Sequence, residues 1–210
     1  MATSQLSLYN GALLALKERK LSSLVENNEA RRTLDQVWDG AVKYCLEAGL
    51  WNFAVRTAKF TYDPSFVPAF GYKYKFVKPT DFVRLNALCH DEFFNTPLNA
   101  YTDEAGAWYA DVDTLYVSYV SDAANYGNNM AGWPESFVNF VELYLADQAG
   151  GRITGKEGTV EKLLKAAEKE ARAKDAMNEP TKFMPQGRWT QARAGGNIRR
   201  DRGNRGSLIG

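Results

Sequence analysis

Apolar residues recur at two different periods along this chain, and each change of period marks an element boundary. Over residues 4 to 20, Leu6, Tyr9, Leu13 and Leu16 repeat at helical spacing, with Thr3 or Ser4 placed to accept from the free amides of a first turn. A second stripe, Ala30, Leu34, Val37, Trp38, Ala41, Tyr44, Cys45 and Ala48, follows Asn28 as its cap. Gly49 comes directly after it, where a left-handed residue commonly ends a helix. Arg31 and Asp35 stand four apart on the polar face of that helix.

Past Gly49 the period falls to two. "RTAKFTYD", "YKYKFVKP", "FVRLNALCH" and "TLYVSYVS" read as strands, and Pro64, Pro68, Pro79 and Pro97 punctuate them as turns. "YKYKFVKP" sets Tyr72, Tyr74 and Phe76 on one face with lysines opposite, and "TLYVSYVS" sets Leu115, Val117 and Tyr119 on one side. Residues 51–121 are therefore expected to form a small antiparallel sheet inserted between helices. Helical spacing returns at Pro134 with Phe137, Phe140, Val141, Tyr144 and Leu145. After the loop "GGRITGKEGT", residues 159–177 form a charged helix with Val160, Leu163, Leu164, Ala167 and Ala171 facing inward. The fold class expected is α+β, mainly α: a helical core from 1–50 and 122–177, a β-rich insert at 51–121, and an extended arm at 178–210.

Composition adds an asymmetry. The 210 residues carry a net charge of +1, yet the segment 178–210 holds seven basic residues against two acidic ones, leaving the rest of the chain mildly acidic. Its last nineteen residues, "ARAGGNIRRDRGNRGSLIG", contain five arginines and five glycines. Fixing a residue costs about 1–2 kcal/mol of backbone entropy, and the arm has few apolar anchors to offset that, so it is expected to be disordered alone. Stretched out, it reaches on the order of 100 Å at about 3.3 Å per residue. Two cysteines outside any CxxC pair argue against a disulfide framework. The first twenty residues lack a basic leader followed by an apolar run, and no run of eighteen apolar residues occurs, so neither a secretory leader nor membrane association is expected.

Four groups of residues are candidates for chemistry. Gly150, Gly155 and Lys156 fit part of a phosphate-binding loop, but Glu157 stands where a hydroxyl should reach magnesium, and a helix rather than a strand precedes it. A helix-to-helix turn is the better reading. His90, the lone histidine, adjoins Cys89 and Asp91, but neighbours in a strand point to opposite faces, so no catalytic pair or metal set is expected. Asp111 and Asp113 share a face without the glycine and distal glutamate of a calcium loop, and paired carboxylates suit glycoside hydrolysis only weakly in a chain with 25 acidic residues. Tyr72, Tyr74, Phe76, Tyr101, Trp108 and Tyr109 could stack on bases or line a subunit contact, but a small sheet first needs them for its own core. No cofactor and no catalysis are expected; an interaction protein is.

The order of motifs then brings in a resemblance. "LEAGLWNFAVRTAKF" ends a helix and places Trp51, Phe53 and Ala54 at a strand opening; "YKYKFVKPTDFVRL" follows with Tyr74, Pro79, Asp81 and Arg84; "LYVSYVSD" and "WPESFVNFVELYLADQAGG" lead through Pro134 and Phe137 into a helix. Spanning about 45 to 150, the chain resembles the tail tubular protein A family, the head-to-tail adaptors (connectors) of short-tailed phages. "VKPTD" departs from the family, which would have a leucine before the proline. The resemblance implies a virion structural protein: a four-helix core with an inserted β element, assembled in the host cytoplasm as a twelve-subunit ring between the portal protein and the tail nozzle. Tail fibres are a further partner, and double-stranded DNA passes through the channel during ejection. By position alone, it implies a portal-binding arm carrying Phe183, Arg188, Trp189, Arg193, Ile198, Arg199, Arg200, Arg202, Arg205 and Leu208. A nucleic-acid-binding protein acting through those arginines is the alternative, and a cell-wall hydrolase the third.

Overall fold

The computed structural model describes residues 3–178 except 67, 69, 156, 157 and 159. These residues form an α+β fold of four helices and two three-stranded antiparallel sheets.

Helix α1 (Gln5–Ala15) begins at Ser4, whose hydroxyl accepts from the Ser7 amide while Ser7 answers to the Ser4 amide. It stops short of residue 20. Lys17 takes a left-handed φ of 62°, and the amides of Lys17 and Glu18 turn back to Leu14 and Leu13, so the chain ends the helix without glycine. Helix α2 (Glu29–Ala48) starts at the Asn28 cap. Helix α3 (Glu135–Thr154) follows Pro134, and helix α4 (Glu161–Asn178) follows Val160. The third helix runs further than its sequence suggests: "GGRIT" is helical and only Gly155, at φ 68°, breaks it. Gly150 is buried where an added β-carbon would lie 3.1 Å from Leu16, so close packing against α1 outweighs the low helix propensity of paired glycines. Helix α3 packs against each of the other three. In α4 the inward stripe is narrower than expected: Val160, Ala167 and Ala171 are buried, but Leu163 is 58% exposed.

Residues 51–121 hold two sheets where one was expected. Trp51–Ala54 does not open a strand; Asn52–Ala54 is a short 3₁₀ turn. The first sheet orders β1 (Val55–Thr61), β6 (Thr114–Ser121) and β3 (Phe82–Cys89) with β6 in the middle. The second orders β2 (Tyr74–Val77), β5 (Ala107–Ala110) and β4 (Tyr101–Glu104). Ala105 and Gly106, at φ 44° and 77°, make the two-residue turn between β4 and β5.

Two hydrophobic clusters result. The larger joins all four helices, and Val120 from β6 enters it. The smaller lies between the sheets and gathers Phe76, Trp108, Leu88, Leu115, Val117 and Tyr119. Strand β6 alternates between the two, which is why both of its faces are covered and Ser118 on one and Ser121 on the other are buried.

Candidate functional site: the joint between helices and sheets

The two clusters meet where α2 ends, and that end has carbonyls to satisfy. The last four carbonyls of a helix have no partner within it, and α2 has no basic residue in its last turn. Three side chains from elsewhere supply what is missing. The Trp51 indole donates to the Cys45 carbonyl at 2.8 Å, Arg84 from β3 to that of Glu47 at 2.9 Å, and Arg172 from α4 to that of Ala48 at 2.6 Å. Both guanidiniums also bring positive charge to the negative end of the helix dipole. One helix terminus thereby ties together the 3₁₀ turn, a strand and the last helix. Asn52 adds to the tie: its amide donates to the Asp175 carboxylate and its side chain to the Asp175 carbonyl.

Gly49 serves this joint differently from the sequence expectation. Its φ of −141° is extended, not left-handed. Glycine fits because a β-carbon would lie 2.8 Å from the Trp51 ring, which covers the helix end. Beneath that ring, Phe137 is the hub of an aromatic cluster: Trp51, Phe53 and Trp133 lie 4.9, 4.8 and 5.0 Å from it between ring centres. Trp133 is fixed in turn by its indole, which donates to Gly127 at 2.7 Å.

Across the sheet side lies a polar cluster centred on Asp81. Its carboxylate accepts from Arg56 of β1 at 2.7 Å, from the Ser121 hydroxyl, and from the Tyr119 hydroxyl at 3.3 Å, while Tyr126 covers the Arg56 guanidinium. Burial pushes the Asp81 carboxyl up, but the hydrogen bonds from Ser121 and Arg56, with the Arg56 charge, outweigh it and hold it below the usual carboxylate range. Burial first, then the Asp81 charge, pushes Tyr119 up to about 12. Every oxygen of this cluster is occupied in holding β1, β3 and β6 at one point, and it offers no nucleophile activated by a base.

Beside the joint, between α2 and the segment after β6, opens a cleft of about 410 Å³ lined by Trp38, Asp39, Lys43, Asp122, Met130 and Trp133 among others. Two carboxylates, one ammonium and two indoles suit the reception of a side chain better than a reaction.

The other sequence candidates are scattered. His90 is exposed, and Asp91 beside it accepts the amides of Asn95 and Thr96 as a turn anchor. Cys89 is buried, and Cys45 lies in the helical cluster with its thiol pushed up by burial. Asp111 accepts the Lys73 amide and Asp113 a hydrogen bond from Tyr74, so both carboxylates fasten turns. Of the aromatic group, Phe76 and Trp108 are fully buried, with Tyr74 and Tyr101 packed around them. Gly150 lies within α3 rather than in a phosphate loop, and Lys156 and Glu157 lie outside the described residues. So do all ten residues of the expected portal-binding arm, Phe183 to Leu208.

The sequence reading missed two arrangements. Lys78 donates to both oxygens of Asp103 and sits 4.7 Å and 5.3 Å from the Phe82 and Trp108 rings, closing the smaller core. Glu142 of α3 lies against Gly11 of α1, where a β-carbon would be 2.1 Å from its carboxyl. Gly11 in mid-helix was the available signal, since an interior glycine often marks a close approach. No protein-family model matches this chain, and none of the curated proteins matches it. Among the described residues, no helix is long and apolar enough to cross a membrane.

Proposed function

We propose that this chain is the subunit of a phage head-to-tail adaptor: a ring of copies, twelve by the resemblance, between portal and tail nozzle, enclosing part of the path by which DNA leaves the head. The observation that carries the proposal is where the motif residues fall. Trp51, Asp81, Arg84, Pro134 and Phe137, chosen for their order in the sequence, are the residues that cap α2, start α3 and pin the three strands at the joint. Tyr74 of the same motif set packs in the smaller core instead, but a set spent mostly on fixing a helical body to a β element is what a scaffolding subunit requires. An enzyme family would spend part of its motif on a reacting group.

On this reading, the helical body with its insert is the wall of the ring, and the residues beyond Asn178, where α4 ends, form the basic arm that the portal orders on contact. An arginine offers a planar, permanently charged fork for carboxylates at such an interface. The mild negative charge of the remainder suits a channel through which DNA slides, because like charge lowers affinity for phosphate.

The test is location. Purified virions of the parent phage should contain this chain in a fixed ratio to portal, and antibodies against it should label the head–tail junction in electron micrographs. A chain absent from virions, or found only in lysates, rejects the proposal.

A further inference from the structure

Two faces of the helical body are left apolar without a covering element, and they lie on different helices. On α1, Leu14 is 76% exposed at the edge of a groove of about 420 Å³ whose lining includes Asn10, Gly11, Glu18 and Lys20. On α4, Leu163, Ala166, Ala173 and Met177 share one exposed face, Met177 to 84%, and Glu170, held by Lys174, takes the position between Ala166 and Ala173. That is the seam pattern by which one helix packs on another. Both helices pack on α3.

Charge distinguishes the two. Glu142 lies half-buried against Gly11, and its carboxylate has no hydrogen-bond or ion-pair partner among the described residues. A carboxylate withdrawn from water without a partner is costly, so a cation is wanted there. Along α4, Lys165, Arg172 and Lys174 are each taken by the glutamate four residues before them. Lys162 and Lys169, which flank the exposed stripe, have no acidic partner among the described residues. One face has an unpaired anion beside a groove, and the other has unpaired cations beside a ridge.

We infer that the α4 ridge of one copy seats in the α1 groove of the next, with Lys169 supplying the ammonium opposite Glu142. Such a contact joins unlike patches, so it is heterologous and repeats head to tail until rotation closes a ring. Leu163, about two turns before Lys169 on the same helix, fills the groove beside Leu14. Gly11 keeps its floor low enough for the Glu142 carboxyl to lie at the seam. The inference rests on the ring reading and assigns that ring its contact surface.

Sedimentation velocity and native mass spectrometry on the full chain, alone and with the portal ring, test it through Leu14→Arg and Leu163→Arg. Both positions are exposed, so near-ultraviolet circular dichroism should match the parent. Each substitution is expected to weaken assembly by about tenfold or more, as for a central interface residue. Lys169→Glu should weaken it by about two- to fivefold, less so in high salt. As a second measurement, Leu14→Cys mixed with Leu163→Cys should form a disulfide-linked pair on oxidation, while neither variant links to itself; the native cysteines are buried. If the parent assembles and both arginine variants assemble equally well, or if Leu14→Cys links to itself, this contact is wrong and the ring stands. A parent chain that stays monomeric at every concentration, with and without portal, overturns both.

Discussion

The two hydrophobic clusters solve the same problem with different means. The helical cluster draws on four helices and is almost wholly apolar, with Phe137 in contact with four other aromatic rings. The cluster between the sheets has seven buried members and closes on one side with a salt bridge, Lys78 to Asp103, laid over the Trp108 ring. A core that small has little to spare, and short three-stranded sheets need cover from elsewhere to be stable. The β element is tied to the helices by Arg84 of β3, which caps α2, and by Val120 of β6, which enters the helical cluster, while the Asp81 cluster braces β1, β3 and β6 among themselves. The difference teaches where this molecule is rigid and where it can yield.

That asymmetry can be broken at its strongest point first. Phe137→Ala removes the hub of the larger core and should cost about 3–5 kcal/mol, lowering the urea midpoint of the whole described body. Trp108→Ala in the smaller core carries a similar local penalty. Hydrogen exchange should then show β2, β4 and β5 losing protection while α2 and α3 keep theirs. Equal loss throughout would mean that the two clusters form a single cooperative unit. Gly49→Ala drives a β-carbon against Trp51 and should cost about 1–3 kcal/mol, with the Trp51 fluorescence shifting as its ring is displaced.

Asp81→Asn loosens the point where the three strands of the first sheet are pinned and should cost about 1–2 kcal/mol, kept modest because solvent reaches Arg56. The parent protein should report the same group through pH. The folded carboxyl lies below its unfolded value of about 3.9, so its stabilisation is complete above that value and is lost as pH falls through the lower folded one. Glu142 has the opposite sign. Burial, then the Glu135 charge, raises it to about 7, so the penalty of ionising it builds between its unfolded value of about 4.3 and 7. Glu142→Gln should accordingly raise the melting midpoint at pH 8 and leave it nearly unchanged at pH 3. The smallest effect belongs to α4, where Lys165→Ala removes a fully exposed pair with Glu161 and should leave the midpoint unmoved.

The sequence was most legible where one local signal governs. Asn28, the helical stripe and Gly49 bound α2 as it stands, and alternation alone located β6. It was least legible where distant groups decide. The hairpin of β4 and β5 escaped notice because its strands are four residues long and its turn uses Ala105, a residue with no turn preference. The extension of α3 through Gly150 depends on Leu16, more than a hundred residues away, and the exposure of Leu163 on what lies opposite α4. At the joint, the motif residues Trp51, Asp81, Arg84 and Phe137 were visible as a set, but not their task. The caps on α2 come from residues 84 and 172, and no local window links them to residues 47 and 48.

The central claim is that this chain adds a ring to a portal and that residues beyond Asn178 make the attachment. Native mass spectrometry of the portal ring from the same genome, mixed with the full chain or with one ending at Asn178, tests it directly. The account predicts that only the full chain adds a stoichiometric ring. Equal binding by both chains would place the portal contact on the helical body and contradict the role of the arm. Failure of both to bind would contradict the adaptor itself.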